Sequence, residues 1–333
     1  MYKSHTQSGM TLIEIMIALT LSLILTGGVI QLFLTSKQTF RMNEAMAGVQ
    51  ESGRFALETL SRDLRMAGYQ GCADPGSVAS ESIVKNNSPT DNLLQTALAG
   101  NEGTAAADSL KVQYASGDAA RLAANTDPVN ATIIAQTNPD NIAVNDVIMV
   151  ADCTTAHLLR VTSVANGAGD VTLSYAAAEN DLSKLNKAYG TASTQVMRFN
   201  SVTYSVGPSG RTNGRGEAIS ALFRQGLNDA APVELVEGVE NLQIQYGERL
   251  ADGTVRFLDA DAAGLDMSRV ESVRIGLLLA AVDASSDQLD NKTYVLAGTS
   301  VAPQGTAAAT VTHPVDKHIR RAFNTTVSLR NRR

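Results

Sequence analysis

Twenty consecutive uncharged residues, Ile15 to Leu34, follow a single carboxylate at Glu14. As a helix, such a run matches the hydrocarbon core of a bilayer, which ~20 apolar residues span. A chain that begins this way must place its first helix in lipid or cover it completely with the rest of the fold. The preceding residues, Met1 to Gly9, are short and polar and carry Lys3. A cation on that flank is expected to stay cytoplasmic, which puts everything after the span on the periplasmic side.

A secretory signal peptide has a shorter apolar core that ends in a small-residue cleavage site. Here the small polar residues come before the run, and no such site closes it. A plain signal anchor accounts for the span but not for Glu14. A charged side chain inside a membrane helix costs up to about 2.5–3.5 kcal/mol on insertion scales, less near the interface, and such residues are normally paired. A new amino terminus at Met10 would be a cation about one helical turn from Glu14. In a bundle of parallel helices, Glu14 of one chain could neutralise that amine on its neighbour.

Beyond Lys37 the chain turns amphipathic. Met42, Met46, Val49, Gly53, Ala56, Leu60 and Leu64 recur at spacings of three and four, with Lys37, Arg41, Glu44, Glu51, Arg54, Glu58 and Arg62 on other faces. No proline precedes Pro75, and Gly68 or Gly71 is the expected stop. The pattern predicts one helix from Met10 to about Ala67, half in lipid and half laid by its apolar stripe on a globular domain. Gly27-Gly28 is a mid-span point of close helix approach or local unwinding, or an inert small pair.

The remainder reads as strands. Period-two alternation runs through Leu110–Tyr114, Val171–Tyr175, Val202–Val206, Leu242–Tyr246, Val273–Leu279 and Phe323–Leu329, as half-buried antiparallel strands require. Asp146–Asp152 and Leu158–Val164 add two apolar runs. Asn101–Asp108, Gly117–Asn130 and Ala281–Asp316 read as loops, the last with one short strand at Tyr294–Leu296. Gly207–Gly216 reads as a hairpin loop. The fold class is therefore α+β: a long N-terminal helix, membrane half plus amphipathic half, packed on an antiparallel β-sheet domain. The expected divisions are 1–9, 10–36 as the transmembrane half, 37–70 as the amphipathic half and 71–333 as a β-rich periplasmic domain. Hydrophobic content of 44% against 18% charge supports folded cores. The only cysteines, Cys72 and Cys153, fall on the exported side, where a pair reads as a disulfide.

Ser8-Gly9-Met10-Thr11-Leu12-Ile13-Glu14 resembles the processing site of type IV prepilins. The resemblance implies that a prepilin peptidase cuts after Gly9 and methylates Met10, where the family more often has Phe. Thr11, Leu12, Ile13 and Glu14 would then serve assembly, Glu14 as the mature fifth residue. Three further segments, 235–246, 270–278 and 321–332, resemble the PilW family of minor pilins, and the first is also similar to J-type pseudopilins of type II secretion. The PilW resemblance implies a single-pass inner-membrane subunit that joins other minor pilins and the major pilin through the inner-membrane assembly machinery. It further implies a place at the pilus tip, starting filament assembly and supporting twitching motility or attachment. A J-type pseudopilin and an adhesin or DNA-uptake subunit are the alternatives; pseudopilins of that type are usually shorter.

Nothing points to catalysis. His5, His157, His313 and His318 lie in no zinc-binding spacing, and no G-x-S-x-G elbow or phosphate loop occurs. Asp259, Asp261 and Gly264 match three positions of a calcium loop, but Ala263 and Val270 fail two others. No cofactor and no metal are expected. A net charge of −6 argues against a general nucleic-acid binder. The terminal Arg330, Arg332 and Arg333, with Arg320-Arg321 upstream, read as a solvated, salt-bridged strand end in preference to a DNA contact.

Overall fold

The structure is a computed structural model that describes residues 9–73, 79–85, 97–184 and 187–331; Lys3, His5, Pro75, Arg332 and Arg333 lie outside them. One helix, Leu12–Met66, runs for 55 residues, on the order of 80 Å. Its first half carries no cover: the large apolar side chains between Leu12 and Leu34 are exposed. Its second half buries Val49, Ala56, Leu60 and Leu64 against the β domain. Removing each large aliphatic side chain from water contributes roughly 1.5–3 kcal/mol. The stripe starts later than the sequence spacing suggests. Met42 is exposed, so the helix leaves the domain near Ala45 and stands free between there and the apolar half. At its other end the helix stops at Met66 and the chain turns through Gly68 at φ +75°, within 3.2 Å of Ala97 and the Asn331 carbonyl as seen from an added Cβ. Only glycine meets both conditions.

Two strand systems meet along one element. The strand Gln195–Thr212 is 18 residues long. Gln195–Arg198 pairs with Val147–Ala151, Phe199–Tyr204 with Ser109–Ala115, and Val202–Thr212 with Ala218–Gly226, all antiparallel. The first half belongs to a unit with its own core, in which Ile148, Val150 and Leu159 pack on Ile133 and Leu173 of a small three-stranded sheet. The second half joins the core under the helix. Among the described residues the sheets are mainly antiparallel, with two parallel pairs, Ala79–Ser82 on Thr155–Leu158 and Val301–Pro303 on Val311–His313.

A four-stranded sheet runs in the order Val255–Leu258, Val239–Arg249, Val270–Ala280, Arg320–Ser328. Pleat alternation sends its residues to two different layers. Leu277 and its partner Phe323 face the helix, where Gly53 lies directly over the Phe323 ring. Leu278 and its partner Ala322 face the other way, onto Leu296, Val301 and Val311. Those residues belong to a three-stranded sheet, Tyr294–Leu296, Thr299–Pro303 and Val311–His313. The strand expected at Tyr294–Leu296 is present, and the rest of Ala281–Asp316, expected as loop, adds two more strands to make a small structured layer. Its strands are three to five residues long, too short to show a period of two. Two other expectations also change. The strand continues through Gly207–Thr212 with a register shift near Pro208, leaving residues 213–217 as the turn. Leu158–Val164 is divided between the strands Thr155–Arg160 and Ser163–Asn166.

Gly276 sits where this layer touches the sheet. A Cβ there would lie 2.5–2.6 Å from backbone atoms of Leu296 and Ala297. Backbone cannot swing aside as a side-chain tip can, so Gly276→Ala should lift the 294–297 turn, at about 1–3 kcal/mol for the overpacking. Urea denaturation should show the loss, and limited proteolysis should cut first within 281–318. An unchanged midpoint with no new cleavage there would mean that the layer is not seated on Gly276.

Candidate functional site

The helix tip is built by its own sequence. Thr11 has extended dihedrals (φ −78°, ψ 151°) and acts as N-cap; its hydroxyl and carbonyl oxygens accept from the Glu14 amide at 3.4 and 3.1 Å. Thr11 and Glu14 thus hold the Ser/Thr-x-x-Glu spacing of a capping box, a second role for Glu14 that the sequence spacing also carries. A carboxylate in the first turn also faces the positive end of the helix dipole. Gly9 has no neighbour within 4 Å of its would-be Cβ, and Met10, Leu12 and Ile13 are exposed. Among the described residues nothing shields Gly9–Glu14 from an enzyme or from another subunit.

At the other end, Asp63 fixes the helix on the domain. It is buried, and it accepts from the hydroxyls of Tyr114 at 2.9 Å and Tyr204 at 2.6 Å, with Arg224 at 3.9 Å. Burial first, then the Asp63 charge, pushes both phenols well above their usual range, so both remain donors. Just past the helix, Cys72 and Cys153 form a disulfide with Cα atoms 4.9 Å apart. Cys153 lies in the turn between Val147–Ala151 and Thr155–Arg160. Asp152 braces that turn, accepting from the Thr154 and Thr155 amides and the Lys187 ammonium. Burial alone would raise the Asp152 carboxyl, but these donors hold it at about 2.

Several of the polar and charged groups considered in the sequence have partners within the fold. Among the described residues no group of three His, Cys, Asp or Glu is placed to hold a metal ion. Asp259 accepts from Gln245. His157 is buried against the Tyr189 hydroxyl, and burial pushes its imidazole down. His313 lies between the Lys292 and Pro314 carbonyls, and His318 between the Ala281 carbonyl and Glu217. Arg320 does not belong to a solvated strand end. Its side chain is wholly buried and bonds Glu240, Asp290 and Asp316 beneath the 281–318 layer. Asn331 reaches back to the Arg65 and Met66 carbonyls.

One cluster is set against itself. Burial, then Asp108, Asp259 and Asp261, pushes Glu102 up to about 7. Burial, with Asp259 and Asp261 behind it, pushes Asp108 up to about 6, against the pull of the Gly103 and Ile244 amides. Raised folded-state values mean that the native protein binds more protons than the unfolded chain between about pH 4 and 7. Stability should therefore fall as pH rises through that window and level off above it. Glu102→Gln should flatten the slope and raise the thermal midpoint at pH 8; an identical pH profile in the variant would refute the assignment.

Comparison with known proteins converges on the two ends of the chain. Residues 4–30 match the prokaryotic N-terminal methylation motif, and residues 203–331 match the family described as type IV pilus-assembly protein W, PilW. No curated protein matches. Among solved structures, a type IV-like pilin from Thermus thermophilus aligns with 12% identity over 85% of this chain and 95% of its own, at a TM-score of 0.35.

Proposed function

We propose that this chain, a type IV pilin-like protein of the PilW family, is a minor pilin: a filament subunit, not an enzyme. In this reading residues 1–9 are a leader that a prepilin peptidase removes. Residues 10–36 then hold the subunit in the inner membrane, 37–70 carry its domain and 71–333 fold in the periplasm. Other minor pilins, the major pilin and the assembly machinery take it into the filament, at the tip, to start assembly and support twitching motility or attachment. The observation that carries the reading is the bare half-helix with Gly9–Glu14 at its tip. The large apolar side chains from Leu12 to Leu34 are left for lipid or for other helices, and in lipid a helix satisfies its own backbone. Its other half contributes Val49, Ala56, Leu60 and Leu64 to one core of the domain.

Intact mass of the mature protein should report a chain starting at Met10 with one added methyl group. Gly9→Val, which places a branched side chain where the peptidase must close on the backbone, should leave the precursor uncut in the membrane. A mature start elsewhere would remove the prepilin reading.

A further inference from the structure

We propose that the outer edge of the strand Arg320–Ser328 is a docking site for an extended, acidic segment of another protein, which adds as a fifth strand to the four-stranded sheet. This goes beyond the minor-pilin reading, since it needs only the β domain and the half of the helix packed on it.

Among the described residues the strand is the last of its sheet; it is nine residues long and paired to Val270–Ala280 without a register shift. Free edges are normally blunted by shortness, bulges, proline or inward-pointing charge. Ala79–Ser82 and Val255–Leu258, edge strands of the two larger sheets, have four residues each, and Val233–Glu237 has a register shift against its neighbour. Arg320–Ser328 has no proline and no bulge. Its one inward charge, Arg320, is neutralised beneath the neighbouring layer.

The unused backbone groups can be assigned. Backbone bonds from Leu329 to Glu271 and from Ala281 to Ile319 flank the pairing. Antiparallel pairs alternate between bonded and non-bonded, so the odd-numbered residues face the neighbouring strand. The amides and carbonyls of Ala322, Asn324, Thr326 and Ser328 then point outward, and the last three residues are exposed. The helix on one face and the 281–318 layer on the other form walls, so an added strand would be held between them, its alternate side chains turned to the helix.

The helix wall selects the ligand. A cleft of about 680 Å³ runs between helix and strand, with Leu57 and Phe323 as its apolar floor. Arg54, Arg65 and Arg321 line it with Glu51 and Glu58, and none of these five has an ion-pair partner among the described residues. Arg321 rests over the Phe323 ring at 5.7 Å. Three guanidiniums, each presenting a donor fork suited to carboxylates, outnumber the two glutamates. The fitting segment therefore alternates, with carboxylates and one aliphatic residue on its helix-facing side. Recognition by strand addition takes affinity from the main chain and specificity from such alternate side chains.

The probe is a blocked, fluorescently labelled heptapeptide with Glu, Val and Glu at its second, fourth and sixth positions and Thr elsewhere. It is titrated into the full chain in detergent micelles and read by anisotropy. Saturable binding is expected, with Kd raised roughly ten-fold or more by Thr326→Pro, which removes one outward amide. Arg54→Glu with Arg321→Glu should do the same, and a Lys-for-Glu peptide should not bind. Circular dichroism checks each variant's fold; if Thr326→Pro is unfolded, the charge variant, on exposed side chains, decides. No saturable binding, equal binding of the acidic and Lys peptides, or binding untouched by the folded variants overturns the proposal. So does a chain that self-associates through this edge and loses that with Thr326→Pro, since the occupant would then be a second copy.

Discussion

Glu14→Ala should leave the chain processed and inserted in the membrane yet nearly absent from sheared pili. In the proposed minor pilin, cleavage after Gly9 would leave the Met10 amine at the N-terminus of the long helix, where the helix dipole already makes a cation unfavourable. In an apolar bundle that amine needs a counter-charge, and breaking a buried pair by removing one partner costs about 3–5 kcal/mol. Alone in the bilayer, the variant gains by losing a charge. The capping geometry at Thr11 gives the experiment its discriminating arm. If Glu14 served only the cap, Glu14→Gln would replace it, because Gln also completes a capping box; and Glu14→Ala would cost only the ~1 kcal/mol usual for a cap. If the charge is what matters, Gln should fail almost as badly as Ala. Blots of membrane and sheared-pilus fractions read the outcome. Normal recovery of Glu14→Gln in pili would reduce Glu14 to a helix cap.

The second large effect is expected at the disulfide. Cys72 and Cys153 are 81 residues apart in sequence, and in the chain-entropy account closing such a loop stabilises the fold by about 4–5 kcal/mol. Cys153→Ser should lower the urea midpoint of the β domain accordingly without blocking cleavage after Gly9. Reducing agent should lower the parent protein to the same value and leave the variant unmoved. A shift below about 1 kcal/mol would mean that the rest of the fold already holds these ends together.

What the sequence made legible was whatever repeats locally. The apolar run, the three-and-four spacing from Val49 to Leu64 and the alternation at Leu110–Tyr114, Leu242–Tyr246 and Val273–Leu279 each reflect a face set by backbone geometry, and each is found in an element of the expected type. Met42 satisfies the helical spacing yet lies beyond the domain's reach, because periodicity says which face is apolar and not what covers it. Tyr294–Leu296 reads as a short strand, but Thr299–Pro303 and Val311–His313 are too short for a period, and tertiary contact with Leu278 makes the three a layer. Arg320 looks like one of several terminal arginines until Glu240, Asp290 and Asp316 are brought around it from distant segments. Asp63 likewise reads as one more helical charge; its partners at Tyr114 and Tyr204 are 51 and 141 residues away.

Asp63 also bears on mechanics. A subunit whose anchor is one end of a long rod is pulled along that rod whenever its filament is under tension. The load must cross from rod to domain where the two are joined. Tyr114, Tyr204 and Arg224 hold Asp63 from three different strands of the domain, so a pull on the rod would load these contacts at one point on the helix. Six residues beyond the last helical turn the covalent bond from Cys72 to Cys153 takes over. The rod could then slide only as far as that short tether allows before force reaches the Val147–Arg160 hairpin.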